Sequence, residues 1–375
     1  MHIPFCKQKC YYCDFLSAPA SQTLIAQYTD ALIREIRYRA EQTGGRKAGC
    51  VRSVFFGGGT PSYIPAEAIA EVLAAIRQSF WVEPAAEITL ECNPGTLTAQ
   101  KVRLYRKAGI NRISLGLQST DNRCLKAIGR IHTWEDFLES YYLCKNAGFD
   151  NINIDIMSAL PQQTVNAYTM GLKQLLALEP AHISAYSLIV EPDTPMEQMV
   201  LENGSDWLPS EEQDREMYKL TGTILKSAGY ARYEISNYSR PGRECVHNCG
   251  YWKREPYLGF GLGAASLWQE ERYQNDQCLD TYIQNAGISD IRKEREQLSK
   301  KSQMEEFMFL GLRMQKGVSK AEFETRFGVT AESLYQDVIQ KYKNLGLLAE
   351  TEERLYLTER GIDVSNQIFC DFLLE

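Results

Sequence analysis

Short apolar segments alternate with amphipathic segments between residues 21 and 190, and this alternation limits the fold more than any other feature of the sequence. A short apolar segment is typical of a buried strand, and an amphipathic segment of helical period is typical of a helix that covers a sheet. The predicted strands are 51–56, 87–92, 111–117, 151–156 and 182–189, and the predicted helices between them are 66–80, 98–108, 134–147 and 164–178. Because strands joined by crossover helices pair in parallel, the sequence predicts an α/β fold, a complete or open (β/α) barrel.

The composition excludes several classes of protein. The chain has 375 residues, 44% of them hydrophobic and 24% charged, which is typical of a folded globular protein and not of a disordered one. The formal net charge of −7 argues against a protein built mainly to bind nucleic acid, and no apolar stretch is long enough to span a bilayer. The first residues, Met1 to Cys6, lack the basic and apolar regions of a secretory signal. We therefore exclude export, membrane spanning and intrinsic disorder, and we expect no nucleic-acid partner.

The alternation ends near residue 190, and the rest of the sequence predicts two further regions. The first contains a predicted helix at 210–228 and a predicted strand at 230–238, and a charged stretch at 292–301 indicates a boundary. The last region is predicted to contain helices 304–313, 319–326 and 331–344, a hairpin at 347–357 and a final helix at 359–374. Such a unit resembles a winged helix, which either binds DNA or serves as a packing module, and the acidic balance favours packing. The expected domains are 1–190, 191–298 and 299–375.

Three cysteines stand close together near the N-terminus, in the order Cys6-x3-Cys10-x2-Cys13. Three thiolates at this spacing can converge on one face of an iron–sulfur cube and bind three of its four irons. No fourth cysteine follows directly, so one iron would keep a position for an exchangeable ligand. A structural zinc site, which normally takes four protein ligands, and three unconnected buried thiols are also compatible with the spacing alone.

A second group surrounds His247, with Cys245 before it and Cys249 after it. On the residues alone, His247 is either a hydrogen-bonded histidine packed beside Tyr251 and Trp252 or a metal ligand together with the two cysteines. The alternating spacing is cramped for one ion, so the residues alone favour the packed histidine.

Further motifs extend over nearly the whole chain, and together with the three cysteines they resemble the radical S-adenosylmethionine enzymes. More narrowly, the chain resembles the oxygen-independent coproporphyrinogen III oxidase-like group of that superfamily. The resemblance implies a partial (β/α) barrel core with a small C-terminal helical, winged-helix-like domain. The segments that carry it are His2–Phe15, Phe56–Ser62, Glu91–Thr96, Leu115–Ser119, Gly129–Thr133, Asn153–Asp155, Tyr233–Tyr238, His247–Trp252 and Leu357–Gly361.

Two details favour the heme-chaperone branch of this group over the decarboxylating oxidases. The oxidases carry a further cysteine two residues after the third ligand, where this chain has Phe15. The chaperone branch carries an HNxxYW segment, which here runs from His247 to Trp252. The resemblance therefore implies a heme chaperone. The alternative is an oxygen-independent coproporphyrinogen III oxidase or another radical enzyme that acts on a tetrapyrrole.

The resemblance also implies the cofactors and the residues that bind them. It implies that Cys6, Cys10 and Cys13 ligate a 4Fe–4S cluster and that S-adenosylmethionine is the exchangeable ligand of the fourth iron. For heme, it implies His247 as a candidate iron ligand, with Tyr251 and Trp252 as apolar walls. The residues that it assigns to S-adenosylmethionine are Tyr12, Gly57, Gly58, Gly59, Thr60, Glu91, Gln118, Arg130 and Asp155.

The partners and the location of the protein are implied by the same resemblance. It implies that heme is passed to acceptor proteins, such as respiratory ones. It also implies that a low-potential donor, such as flavodoxin or ferredoxin, reduces the cluster. A cluster that must stay reduced and shielded from oxygen implies a cytoplasmic protein.

The chain departs from the family pattern at three places. The family has a strand ending in tyrosine just before the segment that starts at His2, so the first barrel strand is expected to be truncated here. The loop Ser158–Thr164 replaces a form that usually contains glycine. Ala265 stands where a histidine is common, which argues against a heme or porphyrin role for that position.

Overall fold

A parallel sheet covered by helices forms the main part of the computed structural model, which describes residues 1–374. Two short strands extend this sheet beyond its last parallel strand with antiparallel pairing. The predicted α/β class with a parallel sheet is thus confirmed. The parallel strands, in spatial as in chain order, are β1 (His2–Ile3), β2 (Cys50–Gly58), β3 (Trp81–Cys92), β4 (Arg112–Gln118), β5 (Asn151–Ser158) and β6 (His182–Ser187), and the two antiparallel ones are β7 (Ala231–Arg232) and β8 (Asn237–Ser239).

Helices connect the parallel strands or follow the last of them, and they cover one face of the sheet. They are α1 (Gln22–Thr43), α2 (Ala66–Ser79), α3 (Ala99–Ala108), α4 (Asn122–Ala127), α5 (Trp134–Asn146), α6 (Val165–Leu176), α7 (Pro195–Asn203) and α8 (Glu211–Ser227). Many of these helices begin after a serine or threonine whose hydroxyl accepts a hydrogen bond from a backbone amide of the first turn. These hydroxyls belong to Ser21, Thr98, Thr133, Thr164 and Ser210.

Side chains of the parallel strands alternate between an apolar and a polar face. On the apolar face, residues such as Phe56, Leu90, Leu115, Ile154 and Ile183 are buried in one hydrophobic cluster with the helices. The residues between them point the other way, because successive side chains of a strand lie on opposite sides of the sheet. We call this second side the polar face; its members include Ser53, Gly57, Glu87, Glu91, Arg112, Ser114, Asn153, Asp155, His182 and Tyr186.

The remaining residues form a short helix, a small antiparallel sheet and a C-terminal unit. The middle elements are α9 (Val246–Trp252), β9 (Ala265–Trp268), β10 (Glu271–Asn275), α10 (Leu279–Asn285) and β11 (Arg292–Gln297). The C-terminal unit contains α11 (Lys300–Gly311), β12 (Val318–Ser319), α12 (Lys320–Phe327), α13 (Ala331–Asn344), β13 (Leu348–Glu350), β14 (Arg354–Leu357), α14 (Glu359–Ile362) and α15 (Ser365–Asp371). Nowhere in residues 1–374 does a helix have the length and apolar character that crossing a bilayer requires.

The C-terminal unit has a hydrophobic cluster of its own and is attached to α9. The buried members of this cluster lie between Phe307 and Phe372. Arg254, just after α9, donates from Nε to Glu306 of α11 at 2.6 Å. The guanidinium of Arg313 lies 4.3 Å from the centre of the Trp252 ring. A buried ion pair and a cation–π contact therefore hold the unit against the segment that contains His247.

Two expectations about strands differ from the structure. The sequence predicted five parallel strands from residue 51 onward and a truncated first barrel strand before them, whereas the structure has six parallel strands, because His2 and Ile3 pair in parallel with Gly57 and Gly58. Two residues are too few to produce a recognisable apolar run. The predicted strand at 230–238 is instead two strands, β7 and β8, joined by a turn.

The C-terminal part differs from expectation in an unpredicted strand and in its final helix. The charged stretch at 292–301, which was predicted to be a boundary, contains β11, whose arginines pair with Glu271 across the strand at 2.7–3.5 Å, and the C-terminal unit begins directly after it at α11. The sequence pattern did not predict this strand, because its charged residues lack the apolar alternation that identifies strands. The predicted final helix at 359–374 is two short helices, α14 and α15.

Candidate functional site

The loop between β1 and α1 carries the three clustered cysteines at the carboxyl end of the sheet. Cys6 is buried, while Cys10 and Cys13 are half-buried, and all three thiols are free. The backbone amide of Cys6 donates to the carbonyl of Ala18 at 3.2 Å, and that of Tyr11 donates to the carbonyl of Ile128 at 3.1 Å. The first bond closes the loop on itself, and the second attaches it to the segment that follows α4.

Glycines at the end of β2 let the strand approach this loop. A Cβ on Gly59 would lie 2.8 Å from the carbonyl oxygen of Phe5 and 3.0 Å from Cys6 Sγ. A Cβ on Gly57 would lie 2.9 Å from Glu91 Oε2, and Gly58 has a φ of 110°, which L side chains rarely adopt. Any larger residue would push the strand end away from the loop, so the Gly57–Gly59 segment is a backbone cradle beside Cys6.

Hydrogen bonds link two of the three cysteines through polar side chains. Thr60 Oγ1 lies 3.3 Å from Cys6 Sγ and accepts from Asn93 Nδ2 at 2.9 Å. Arg130 donates from Nη2 to Asn93 Oδ1 at 2.8 Å and from Nη1 to Cys10 Sγ at 3.5 Å. Within the described residues, Arg130 Nε is buried without a hydrogen-bond partner. The site therefore contains a guanidinium with donor capacity left for an anion.

These residues fit an iron–sulfur cluster better than a single metal ion. Sulfur that ligates iron carries negative charge, and donors such as Thr60 and Arg130 are the partners that stabilise such sulfur. Among residues 1–374, no three His, Cys, Asp or Glu side chains lie close enough together to hold one ion. The zinc alternatives for Cys6–Cys13 and for Cys245, His247 and Cys249 thus find no support in the geometry.

Two carboxylates of the polar face lie beside the cradle. Burial, and then the negative charge of Asp155, raises the pKa of Glu91 to about 8. Burial also raises the pKa of Asp155, although Asn153 Nδ2 donates to Asp155 Oδ1 at 2.7 Å. Two carboxylates withdrawn from water favour a positively charged ligand, because such a ligand offsets the cost of keeping both ionised.

Two aromatic residues and one residue with a strained backbone lie beside the same site at the carboxyl end of the sheet. Gln118 ends β4 with a φ of 72°, a left-handed conformation that is uncommon outside glycine and often marks a functional site. Tyr186 donates from its hydroxyl to Gln118 Oε1 at 3.0 Å, and 38% of its surface is exposed. Burial raises the pKa of Tyr12, which packs with Met157 and Leu160.

All nine residues that the sequence assigned to S-adenosylmethionine lie near the cysteine loop or at the carboxyl ends of β2–β5. Sequence reasoning missed three polar residues of the same region: Asn93, Asn153 and Tyr186. The two-residue period of a strand could have found the first two, because each lies two positions from a predicted site residue, Glu91 or Asp155. Tyr186 lies on the adjacent strand, and only the strand order brings it to Gln118.

His247 lies near the amino-terminal end of the polar face, away from the cysteine loop. Its Nδ1 is 3.3 Å from Ser53 Oγ, and its ring stacks on Phe55 with the centroids 4.7 Å apart. The ring of Tyr251 meets it edge-on at 4.6 Å. Burial lowers the pKa of His247 to about 3, so the imidazole is neutral. Of the two alternatives, the structure shows His247 as a packed histidine. Its neutral imidazole is also the form that can bind a metal.

The other residues of this segment have different surroundings. Glu87 accepts from the backbone amides of Val246 and His247 at 3.2 Å each, which satisfies the free amides at the start of α9. Trp252 contacts Arg313 of the C-terminal unit. Of the three residues assigned to heme, His247 and Tyr251 are therefore in contact, whereas the structure records Trp252 against a different neighbour.

The parallel sheet and its cysteine loop define the class of protein. Residues 1–169 match the family model described as the Radical SAM superfamily, and residues 298–364 match the HemN C-terminal domain. The fold is also that of coproporphyrinogen III oxidase HemN from Escherichia coli, with a TM-score of 0.87 over 99% of this chain and 88% of that chain. The sequence identity to this enzyme is 23%, so the likeness shows the fold alone.

Full-length relatives then identify the family. The chain is 38% identical to the heme chaperone HemW of Lactococcus lactis, over 100% of this chain and 96% of that protein. It is 34% identical to the heme chaperone HemW of Bacillus subtilis, over 100% of this chain and 98% of that protein. The chain belongs to the heme chaperone HemW family of the radical SAM superfamily, and the branch predicted from the motifs is confirmed.

The cysteine loop generates a test of the cluster. We expect anaerobically reconstituted protein to hold one 4Fe–4S cluster and Cys10→Ala to lose it, because this thiolate would be one of three protein ligands. Cys249→Ala is the matched control: Cys249 is also half-buried but lies outside the loop, and this variant should keep its full iron content. Iron and sulfide analysis measures both. Full iron content in Cys10→Ala would show that the ligands are assigned wrongly.

Proposed function

We propose that this protein binds a 4Fe–4S cluster, S-adenosylmethionine and heme, and that it transfers heme to acceptor proteins. The observation that carries the proposal is the convergence of the cysteine loop, the glycine cradle and two half-buried carboxylates at one edge of the sheet. This convergence occurs in a chain that matches heme chaperones over its whole length. The cluster and S-adenosylmethionine together supply one-electron radical chemistry when both are bound.

The proposed roles of the site residues follow from their charges and positions. Cys6, Cys10 and Cys13 would hold the cluster and leave one iron open. The cradle would receive the amino-acid end of S-adenosylmethionine, since residues without a Cβ let a ligand reach the backbone. Arg130, with an unpartnered Nε, would bind its carboxylate.

The remaining cosubstrate residues would hold the cationic and adenosyl parts. Glu91 and Asp155 would accept hydrogen bonds from the ammonium or ribose, because ionised carboxylates only accept hydrogen bonds and both lie beside the cradle. Thr60 would orient Cys6, from which its hydroxyl is 3.3 Å away. Gln118 would border the site in its strained conformation, and Tyr12 would pack near the adenine.

Heme enters this proposal as cargo. His247 is neutral and its Nδ1 faces Ser53, so Nε2 is the nitrogen that we assign to the heme iron. Tyr251 would supply an apolar wall beside it, and Trp252 a second one. A heme bound here would lie at the end of the polar face opposite the cluster, which suits a ligand that must be delivered unchanged.

The same proposal includes the division into domains, the location of the protein and its partners. The parallel strands would form a partial barrel over residues 1–190, with an extension at 191–298. The winged-helix-like unit at 299–375 would serve in packing, which its attachment to Arg254 and Trp252 supports. We place the protein in the cytoplasm, where a low-potential donor such as flavodoxin or ferredoxin would reduce the cluster. Its heme acceptors would include respiratory proteins.

The carboxylate of Glu91 predicts how cosubstrate binding depends on pH. With its pKa raised to about 8, Glu91 is mostly protonated in the ligand-free protein at lower pH, and a cationic ligand must displace that proton. The dissociation constant of S-adenosylmethionine should therefore fall as pH rises from about 6.5 to about 8, by up to about tenfold per pH unit. Glu91→Gln should bind at least about tenfold more weakly above that range. Calorimetric titration across pH measures both effects.

The ligand has an amino group that also titrates, and the variant separates the two contributions. Because Glu91→Gln has no ionisable group at this position, the contribution of Glu91 is absent from its pH dependence, and only those of the ligand and of other groups such as Asp155 remain. We expect this pH dependence to be shallower than that of the wild-type protein, with an unchanged cluster content. Identical pH profiles and affinities in the two proteins would remove Glu91 from the binding site.

A second prediction separates the chaperone from the oxidase. We expect the protein to bind about one heme and to leave coproporphyrinogen III unconverted under reducing, anaerobic conditions. His247→Ala should shift the heme absorption spectrum or lower heme affinity by about tenfold or more, because it removes the proposed iron ligand. The control is His132→Ala, which removes a buried histidine bonded to the carbonyl of Leu117 at the other end of the polar face. Protoporphyrinogen IX formed in step with 5′-deoxyadenosine would contradict the chaperone function.

A further inference from the structure

A continuous chain of hydrogen bonds crosses the polar face from the start of α9 to the cosubstrate residue Asp155. Its inner members, Tyr233, His182 and Asn153, are all buried. The links are Cys245 N to Tyr233 Oη at 3.2 Å, Tyr233 Oη to His182 Nε2 at 2.8 Å, His182 Nδ1 to Asn153 Oδ1 at 2.6 Å, and Asn153 Nδ2 to Asp155 Oδ1 at 2.7 Å.

The two ends of the chain determine the direction of every bond in it. The backbone amide of Cys245 can only donate, and an ionised Asp155 can only accept. Tyr233 therefore donates its hydroxyl proton to His182 Nε2, and His182 donates from Nδ1 to Asn153. This requires a neutral imidazole, and burial lowers the pKa of His182 well below its ordinary value. All four bonds point toward Asp155, so each polarises the next.

Asn153 transmits this arrangement to the carboxylate. Its Nδ2 also donates to Ser114 Oγ at 2.8 Å, and its Oδ1 also accepts from Ser184 at 3.1 Å. Rotating the amide would break all of these bonds in a buried place, where unpaired polar groups are costly. Asp155 Oδ2 also accepts from Ser114 Oγ at 3.4 Å, so the bond between His182 and Asn153 is one of several that together fix the orientation of Asp155 toward the cosubstrate pocket.

The other end of the chain depends on the position of α9. Cys245 directly precedes α9, and two residues later the helix carries His247. The carbonyl of Tyr233 additionally accepts from the amide of Gln315 in the C-terminal unit at 2.9 Å. A displacement of α9 would lengthen the bond from Cys245 to Tyr233 and weaken the donors that converge on Asp155.

We propose that Tyr233 and His182 are positioning residues that couple α9 to the cosubstrate pocket, so that heme and S-adenosylmethionine oppose each other's binding. The inference rests on the proposed function, which assigns heme to His247 and S-adenosylmethionine to the region of Asp155. The His247 ring is packed against Phe55 and Tyr251, and a macrocycle much wider than an imidazole cannot reach it unless these neighbours part or α9 shifts. Coupling of two ligands is reciprocal, so each weakens the other by the same factor.

The first experiment removes one hydroxyl from the chain. Tyr233→Phe leaves the ring in place but breaks two links, and we expect the dissociation constant of S-adenosylmethionine to rise by about fivefold. Its cluster content should stay that of the wild-type protein. The matched control is Tyr168→Phe, which deletes an equally buried hydroxyl bonded to Thr221 at 2.8 Å on the helical side of the sheet. This control should lower the melting temperature without changing that constant.

The second experiment measures the coupling between the two ligands, first in wild-type protein and then in Tyr233→Phe. Saturating heme should raise the dissociation constant of S-adenosylmethionine by at least about fivefold, and saturating S-adenosylmethionine should raise that of heme by the same factor. In Tyr233→Phe the factor should fall toward one. A factor of one in the wild-type protein, or equal S-adenosylmethionine affinity in Tyr233→Phe and Tyr168→Phe, would overturn the inference. Wild-type protein that binds neither ligand would instead overturn the proposed function, a result visible before any variant is compared.

Discussion

The arrangement of the site depends on the hydrogen bonds that the guanidinium of Arg130 donates. This guanidinium contacts Cys10 and, through Asn93 and Thr60, is connected to Cys6. Thiolates that share one cluster must be held at matching positions, so this bridge meets a geometric requirement that the loop backbone alone leaves open. The same group retains an unpartnered Nε, which allows one side chain to serve both the cysteine loop and an anionic end of a ligand.

The two faces of the sheet have different roles: the apolar face contributes to stability, and the polar face carries the residues of the candidate site. Apolar residues such as Phe56 and Leu115 pack under the helices and supply most of the hydrophobic burial. The polar face would be costly to bury, and it is tolerated because many of its members bond one another, as Asn153 does with Asp155 and His182. This polar face joins a site at the carboxyl ends of the strands to α9 near their amino ends.

Local patterns were enough to predict the regular parts of the chain but not the contacts between strands. Helix α5 was predicted at 134–147 and is observed at Trp134–Asn146, because an apolar period and a cap at Thr133 coincide. Strand β1 was missed because its pairing with β2, and not its composition, makes it a strand. The cysteine motif and Glu91 were found because they lie in short sequence motifs of the family. Tyr186 and Tyr233 were not assigned roles, because their partners lie on elements distant in sequence.

The electron paramagnetic resonance spectrum of the reduced cluster, recorded with and without S-adenosylmethionine, tests the three-cysteine site most directly. If Cys6, Cys10 and Cys13 are the protein ligands, one iron is open, and adding the cosubstrate should shift the g values of the reduced cluster. A spectrum that is unchanged at saturating S-adenosylmethionine would contradict this, because it would mean that the fourth iron is already occupied or lies out of reach of the cradle.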